Sequence, residues 1–212
     1  MGDEAGSLGP WQPWSPQDVA RFFAPLTVPW WIAGGWAIDL FLGRQTREHE
    51  DIDVQILRCD QRVVRALFGG WDMQAALPPP RDEAWPFRTW RLDEALDADI
   101  HDVWCRTTPT QPWALQLMLD DTRDDAWLFR RMPAIRRSVD AIGCVTDDGI
   151  PYLAPEIQVL YKAKGLRPKD EADFLEVLPA LDQERRQWLS NAIAVAHPSH
   201  PWLECLTGGS GV

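Results

Sequence analysis

Apolar and polar positions along this chain follow two periods, and the changes of period mark its elements. Ser15-Pro16-Gln17-Asp18 reads as a capped helix start, with Ser15 as N-cap, Pro16 in the first turn and an acid three residues after the cap. That helix is expected to run through Val19, Ala20, Phe22 and Phe23 to just before Pro25, and its work is packing. Trp30-Trp31-Ile32-Ala33 suits a buried strand. Gly34-Gly35 breaks the run, and 36–42 follows with helical apolar spacing up to Gly43. Asp51-Ile52-Asp53-Val54-Gln55-Ile56 then alternates as a half-buried strand. The alternation puts Asp51 and Asp53 on one face and sends Ile52, Val54 and Ile56 into the core.

Beyond this stretch, 60–68 is expected to be helical, with Val63, Val64, Leu67 and Phe68 on one side and Gly69-Gly70 ending it. A strand over 71–77 precedes the Pro78-Pro79-Pro80 break, and 87–92 makes another. A meander over 100–106, 113–119 and 126–130 follows. In its middle strand Leu115, Leu117 and Leu119 share one face, while Gln116, Met118 and Asp120 share the other. Pro155 opens a helix carrying Ile157, Leu160 and Tyr161, and Arg167-Pro168-Lys169-Asp170 opens a second. Asp182 caps a last helix over 183–196, with Trp188, Leu189, Ala192 and Val195 as its buried stripe, and 197–201 is read as a terminal loop. The fold class is therefore α/β (α+β). A mixed twisted sheet with flanking helices occupies 1–150, and a small helical region, 151–212, packs on it. The Gly-rich, polar start, 1–10, is expected to be mobile.

Composition narrows the function. With 212 residues, 45% hydrophobic and 25% charged, the chain has the make-up of an ordinary globular protein with room for a good core. No apolar run reaches the length of a membrane span, and no secretory leader is expected. The four cysteines lack metal-ligand spacing, which fits reduced thiols in the cytoplasm and neither a zinc site nor a disulfide framework. Thirteen tryptophans serve mostly the core, with Trp30, Trp31 and Trp36 placed to stack on a sugar or base. A net charge of −11 opposes binding a long nucleic acid and suits a small cationic partner. The acidic passage Asp93, Glu94, Asp97, Asp99 and Asp102 is either a solvated surface or the rim of a cleft for such a cation.

The chemistry concentrates in 30–56. A strand, Gly34-Gly35 and a helix start let backbone approach a phosphate closely, with N–H groups and the positive end of the helix dipole behind it. Asp51 and Asp53, like charges side by side, are costly unless a cation lies between them. Hard oxygen ligands suit Mg²⁺, which also keeps water and substrate phosphate in its octahedron.

Gly-Gly, a short helix and Asp-x-Asp on a strand resemble the core pattern of the nucleotidyltransferase superfamily that includes DNA polymerase β. Thr46-Arg47-Glu48-His49-Glu50-Asp51-Ile52-Asp53 is similar to the Thr-Arg-x-His-x-Asp-x-Asp of antibiotic nucleotidyltransferases, the aminoglycoside 2″- and lincosamide-modifying enzymes. The resemblance implies Mg²⁺-dependent transfer of a nucleoside monophosphate, with ATP as donor, to a hydroxyl of a small molecule. An aminoglycoside is the expected acceptor and a lincosamide the alternative. A non-catalytic nucleotide-binding or antitoxin-like protein of the same fold is the rival. The implied metal ligands are Asp51 and Asp53. Gly34, Gly35, Arg47 and His49 would serve the nucleotide, with Arg47 on a phosphate or bracing Asp51 or Asp53. The stretch 155–174 resembles the helical part of the same group, which implies a nucleotide-facing Lys169 and an acidic position at Glu156. Lys162, Lys164 and Glu156 also suit the helix dipole. The superfamily's third carboxylate falls to Asp120 by alternation. Matching to relatives puts it nearer Gln116, an amide here, and Asp102 on the neighbouring strand is the other possibility.

Overall fold

The computed structural model describes residues 9–78 and 87–208. Residues 1–8 of the amino-terminal stretch and Pro79 and Pro80 of the proline break lie outside the described residues. In chain order the elements are α1 (Pro16–Phe23), β1 (Trp30–Ala33), α2 (Gly34–Leu42), β2 (Asp53–Leu57), α3 (Gln61–Leu67), β3 (Asp72–Ala76) and β4 (Phe87–Thr89). Then come β5 (Asp102–Arg106), β6 (Leu115–Asp120), β7 (Thr122–Arg123), β8 (Ala126–Leu128), β9 (Arg136–Ser138), β10 (Gly143–Val145) and β11 (Pro151–Leu153). The helices α4 (Pro155–Lys162), α5 (Pro168–Val177), α6 (Gln183–Ala196) and α7 (Trp202–Leu206) complete the chain.

Two compact units divide it: Met1–Ile32 with His49–Thr122, and Ala33–Glu48 with Arg123–Val212. These units are discontinuous along the chain, whereas the expected division at 150 is a single point in it. The chain crosses between units after Ile32, returns near His49 and crosses again after Thr122. The helical region therefore recruits α2 and β8–β11 as well as α4–α7.

In the first unit the strands run in the order β1-β2-β6-β5-β3-β4. β2 and β6 are parallel, with Asp53 opposite Gln116 and Leu57 opposite Asp120. β6, β5 and β3 are successively antiparallel. Register decides the faces. Val54, Ile56, Leu115, Leu117, Leu119, Val103 and Cys105 are buried together on one. The other face presents Asp53, Gln116, Trp104 and Gln74 as one row across four strands. α1 starts as expected, with Asp18 N–H donating to Ser15 Oγ at 3.1 Å and the Asp18 carboxylate returning to Ser15. Phe22, Phe23, Phe68, Trp14 and Trp71 then pack edge to face over α1 and α3. On α3 Val64 is buried, whereas Val63 is exposed.

In the second unit α2 packs on α4, α5 and β11. Gly43 ends α2 in the left-handed conformation (φ 67°), donating its N–H to the Asp39 carbonyl. β8–β9 and β10–β11 are antiparallel pairs. β9 and β10, each only three residues long, were not expected, because such short strands carry too little alternation to read. On α6 the buried stripe is Leu189, Ser190, Ala192 and Ile193, and Val195 is 51% exposed. The stretch after α6 is more ordered than a terminal loop: His200 is buried and α7 follows, with Trp202 stacked on Phe174 at 4.2 Å. Among the described residues no helix is long and apolar enough to cross a membrane.

Candidate active site

The first unit holds the acid row. Asp51 is exposed and precedes β2, so it lies on the approach to the strand, not within it as expected. Ile52 beyond it is buried and its carbonyl accepts from Gln116 N–H at 2.9 Å, which pins the approach to β6. Asp53, half-buried, opens β2 with Gln116 directly beside it. His49 is also half-buried.

Asp120 is not beside Asp53. It pairs in register with Leu57, four residues along the strand from Asp53, or about 13 Å at about 3.3 Å per residue. It is also 2% exposed. Alternation had given Asp120 the correct face but could not give its position along the strand, and a shared metal is excluded at that distance. The place beside Asp53 belongs to Gln116, whose Nε2 donates to Asp102 Oδ1 at 3.3 Å. The acidic passage divides accordingly. Glu94 pairs with Arg88 at 2.7 Å, Asp93, Asp97 and Asp99 are exposed, and Asp102 alone of the five lies on the polar face beside Gln116. Arg58 holds the preceding loop by donating to the carbonyls of Asp97 and Ile100, both at 2.9 Å, and to Asp121 Oδ1 at 2.6 Å.

Two aspartates and an amide, all presenting hard oxygens and half-buried or exposed, fit Mg²⁺ as part of a shell completed by substrate oxygens and water. Among the described residues no three His, Cys, Asp or Glu side chains converge on a metal position.

The second unit holds the glycine turn. Gly34 sits at φ 67°, in the left-handed region that a side chain would make costly. Its N–H is not open, as expected, but donates to Oε1 of buried Gln158 at 2.8 Å. Gly35 is buried in the first turn of α2. Thr46 N–H and Oγ1 both donate to Asp39 Oδ1, at 3.1 and 2.6 Å, fixing the polar link to the end of α2.

Arg47 has a partner that the motif did not name. Its guanidinium grips Asp173 on α5, through Nε at 3.1 Å and Nη2 at 3.2 Å. The same carboxylate takes Lys162 Nζ at 2.7 Å. Lys162 is buried, 3.5 Å from Asp170, which in turn accepts from Arg167 at 2.7 and 3.2 Å. Burial pushes the Asp173 carboxyl up, but Arg47 and Lys162 outweigh it and hold it below its ordinary value. Arg47 thus ties the polar link to α5. Lys169 is exposed in the first turn of α5. Glu156, 1% exposed, accepts from Arg137 at 2.5 Å and lies 3.7 Å from Arg185. Arg185 also donates to Cys144 Sγ at 3.4 Å, and burial first, then Cys144, pushes the Tyr152 phenol up to about 12.

Gln158, Asp170 and Asp173 had no assigned role in the sequence, and Lys162 had one only at the end of its helix. The available signal was spacing. Asp170 and Asp173, three apart, share one face of α5, and Gln158 and Lys162, four apart, share one face of α4 that is otherwise apolar.

Comparison with known proteins identifies relatives of this chain. The model of the aminoglycoside-2″-adenylyltransferase family matches residues 17–177. A lincosamide resistance protein of Staphylococcus haemolyticus is 35% identical over 87 residues, 40% of this chain and 50% of the relative. A 2″-aminoglycoside nucleotidyltransferase of Escherichia coli is 67% identical over 50 residues, 22% of this chain and 28% of the relative. The chain thus matches half or less of the length of these curated relatives. Among solved structures, a lincomycin-bound lincosamide adenylyltransferase superposes with TM-score 0.50 at 19% identity, covering 76% of this chain and 92% of that one. The solution structure of the antibiotic-resistance factor ANT(2″)-Ia gives TM-score 0.53 at 17% identity, covering 86% and 91%. At such identities these likenesses show the fold.

Proposed function

The chain belongs to the aminoglycoside-2″-adenylyltransferase family, and from that premise we propose that it transfers a nucleoside monophosphate from ATP to a hydroxyl of an amine-bearing antibiotic, releasing pyrophosphate. The observation that carries this reading is the placement of Asp53 at the head of β2, half-buried beside Gln116 on the polar face of the sheet, with exposed Asp51 two residues before it. In this reading Asp51 and Asp53 would hold Mg²⁺, which would supply charge to offset that developing on the transferring phosphoryl group. Gly34 and Gly35 serve the phosphates at the start of α2, where a charged oxygen is the stronger acceptor and can take over the N–H that Gln158 now holds. The half-buried His49 and exposed Lys169 remain the nucleotide contacts that the family resemblance implies, the first from the 46–53 motif and the second from the helical stretch 155–174. Arg47 acts through Asp173, by fixing the link that carries the motif. Catalysis of this kind is positioning plus electrostatics, so rigid bracing contributes directly.

An aminoglycoside is the first acceptor to test, because an acidic chain with net charge −11 attracts a polycation. The 35% identity to a lincosamide resistance protein makes lincomycin the second. Incubation with ATP, Mg²⁺ and either tobramycin or lincomycin should release pyrophosphate and add the mass of AMP to one of them. Asp53→Asn should abolish both signals and leave the melting temperature unchanged or higher, since a like charge is removed. Turnover near the wild-type rate by a folded Asp53→Asn protein would refute the metal-dependent reading.

A further inference from the structure

Gln116 stands beside Asp53, and an amide there can neither take up a proton nor hold charge. Its nitrogen is 3.3 Å from Asp102 Oδ1 and 3.4 Å from Met118 Sδ. A carboxylate only accepts, so this contact fixes which end of the amide faces Asp102 and turns the carbonyl oxygen elsewhere. Asp102 is half-buried at the start of β5, opposite Met118. Two strand spacings, about 10 Å, separate β2 from β5. Asp102 also lies two residues along from the Asp53 row, since its partner Met118 is opposite Gln55, so it stands apart from the Asp51–Asp53 pair with Gln116 between. Half-buried Trp104, opposite Gln116, continues the row on β5, its ring 5.0 Å from Phe87 and 5.1 Å from Trp11.

Resting on nucleotidyl transfer as the reaction, we propose that Asp102 is the general base of this chain and that Gln116 positions it. The acceptor O–H gives its proton to the Asp102 carboxylate while its oxygen forms the bond to the α-phosphorus. The bond from the α-phosphorus to the bridging oxygen breaks, and its electron pair leaves with pyrophosphate. Gln116 engages Oδ1 of Asp102, which leaves Oδ2 to receive the proton. The role that a carboxylate beside Asp53 would perform is thereby moved one strand outward.

The test compares wild type with Asp53→Asn, Asp102→Asn, Gln116→Leu and the double variant Asp102→Asn/Gln116→Glu. Two readouts are used: Mn²⁺ binding by calorimetry, and initial rates of pyrophosphate release with ATP and tobramycin or lincomycin. Asp102→Asn should lower kcat by about 100-fold or more, with KM for ATP and the Mn²⁺ affinity within about twofold of wild type. Asp53→Asn should lose Mn²⁺ binding. Gln116→Leu should cost about 10-fold in kcat at unchanged KM for ATP, and the double variant should recover part of what Asp102→Asn loses, because it restores a carboxylate one strand away. Mn²⁺ affinity weakened equally by Asp102→Asn and Asp53→Asn would make Asp102 a metal ligand and overturn the proposal. So would unchanged turnover by Asp102→Asn. A wild-type protein that releases no pyrophosphate with either antibiotic removes the nucleotidyl-transfer reading and the base with it. That result is distinct from one in which wild type turns over and the Asp102 variant does too.

Discussion

Replacing Lys162 by methionine removes a charge from the centre of the cage between α4 and α5 while keeping most of the volume. The lysine is 7% exposed, and its partners Asp170 and Asp173 are 1% and 2% exposed. Breaking a buried ion pair by deleting one partner costs about 3–5 kcal/mol. Asp173 keeps Arg47 and Asp170 keeps Arg167, so the lower end, about 3 kcal/mol, applies. For a chain of this size that lowers the melting temperature by about 6–12 °C. The pH dependence has a definite sign. In wild type Asp173 lies below its ordinary value of 3.8, so its contribution is present above that value and is lost as pH falls through the lower native value. Without the lysine, burial acts against one cation fewer and the Asp173 carboxyl moves up. The folded variant then takes up protons earlier than wild type, and the gap between the two melting temperatures narrows as pH drops from 7 towards 4. Thermal melts of both proteins at pH 7, 5.5 and 4 measure it. A Lys162→Met protein that melts with wild type, or a gap that stays constant across this range, would refute the reasoning.

Gln158→Leu leaves the Gly34 N–H without the acceptor it now has at 2.8 Å, and a buried unsatisfied donor costs about 1–3 kcal/mol. Urea unfolding should show that loss with an unchanged slope, and full stability would mean the N–H finds another acceptor. His200, with its Nε2 2.9 Å from the Ala163 carbonyl, is held below its ordinary value by burial, the carbonyl pulling the other way. The native form therefore resists protonation below pH 6.5. Stability should fall as pH moves under that value, and His200→Gln should flatten the slope.

The elements that one sequence made legible are those whose code is local. Ser15 with Asp18, Gly43 after an apolar helix, and Asp182 before α6 state their helix ends in three or four residues. The alternation of β2 and β6 gave the faces of the sheet, and Gly34-Gly35 with Asp51 and Asp53 gave the motif on which the family resemblance rests. Register was not legible, since alternation is unchanged by a slip of two residues. Asp120 was therefore placed on the correct face but at the wrong end of the strand. The partners of Arg47 and Lys162 were not legible for a related reason. A cation's partner is chosen by tertiary packing, and the aspartate that takes both of them lies on a different helix, far along the chain. Val195 was assigned to the core by helical period, yet the apolar stripe of α6 is centred on Leu189 and Ile193 instead.

The interleaving of the two units sets a timetable for making the protein. The helix 34–42 leaves the ribosome early, but its packing partners β11, α4 and α5 are encoded only after residue 150. At about 5–20 residues per second, that apolar helix waits on the order of ten seconds for these partners. Ile38 and Ala37 are fully buried in the finished fold. Ribosome stalling or truncation anywhere in 43–150 therefore yields a chain whose apolar helix lacks them, a natural substrate for chaperones and proteases. The glycine turn, for the same reason, acquires its Gln158 contact among the last events of synthesis.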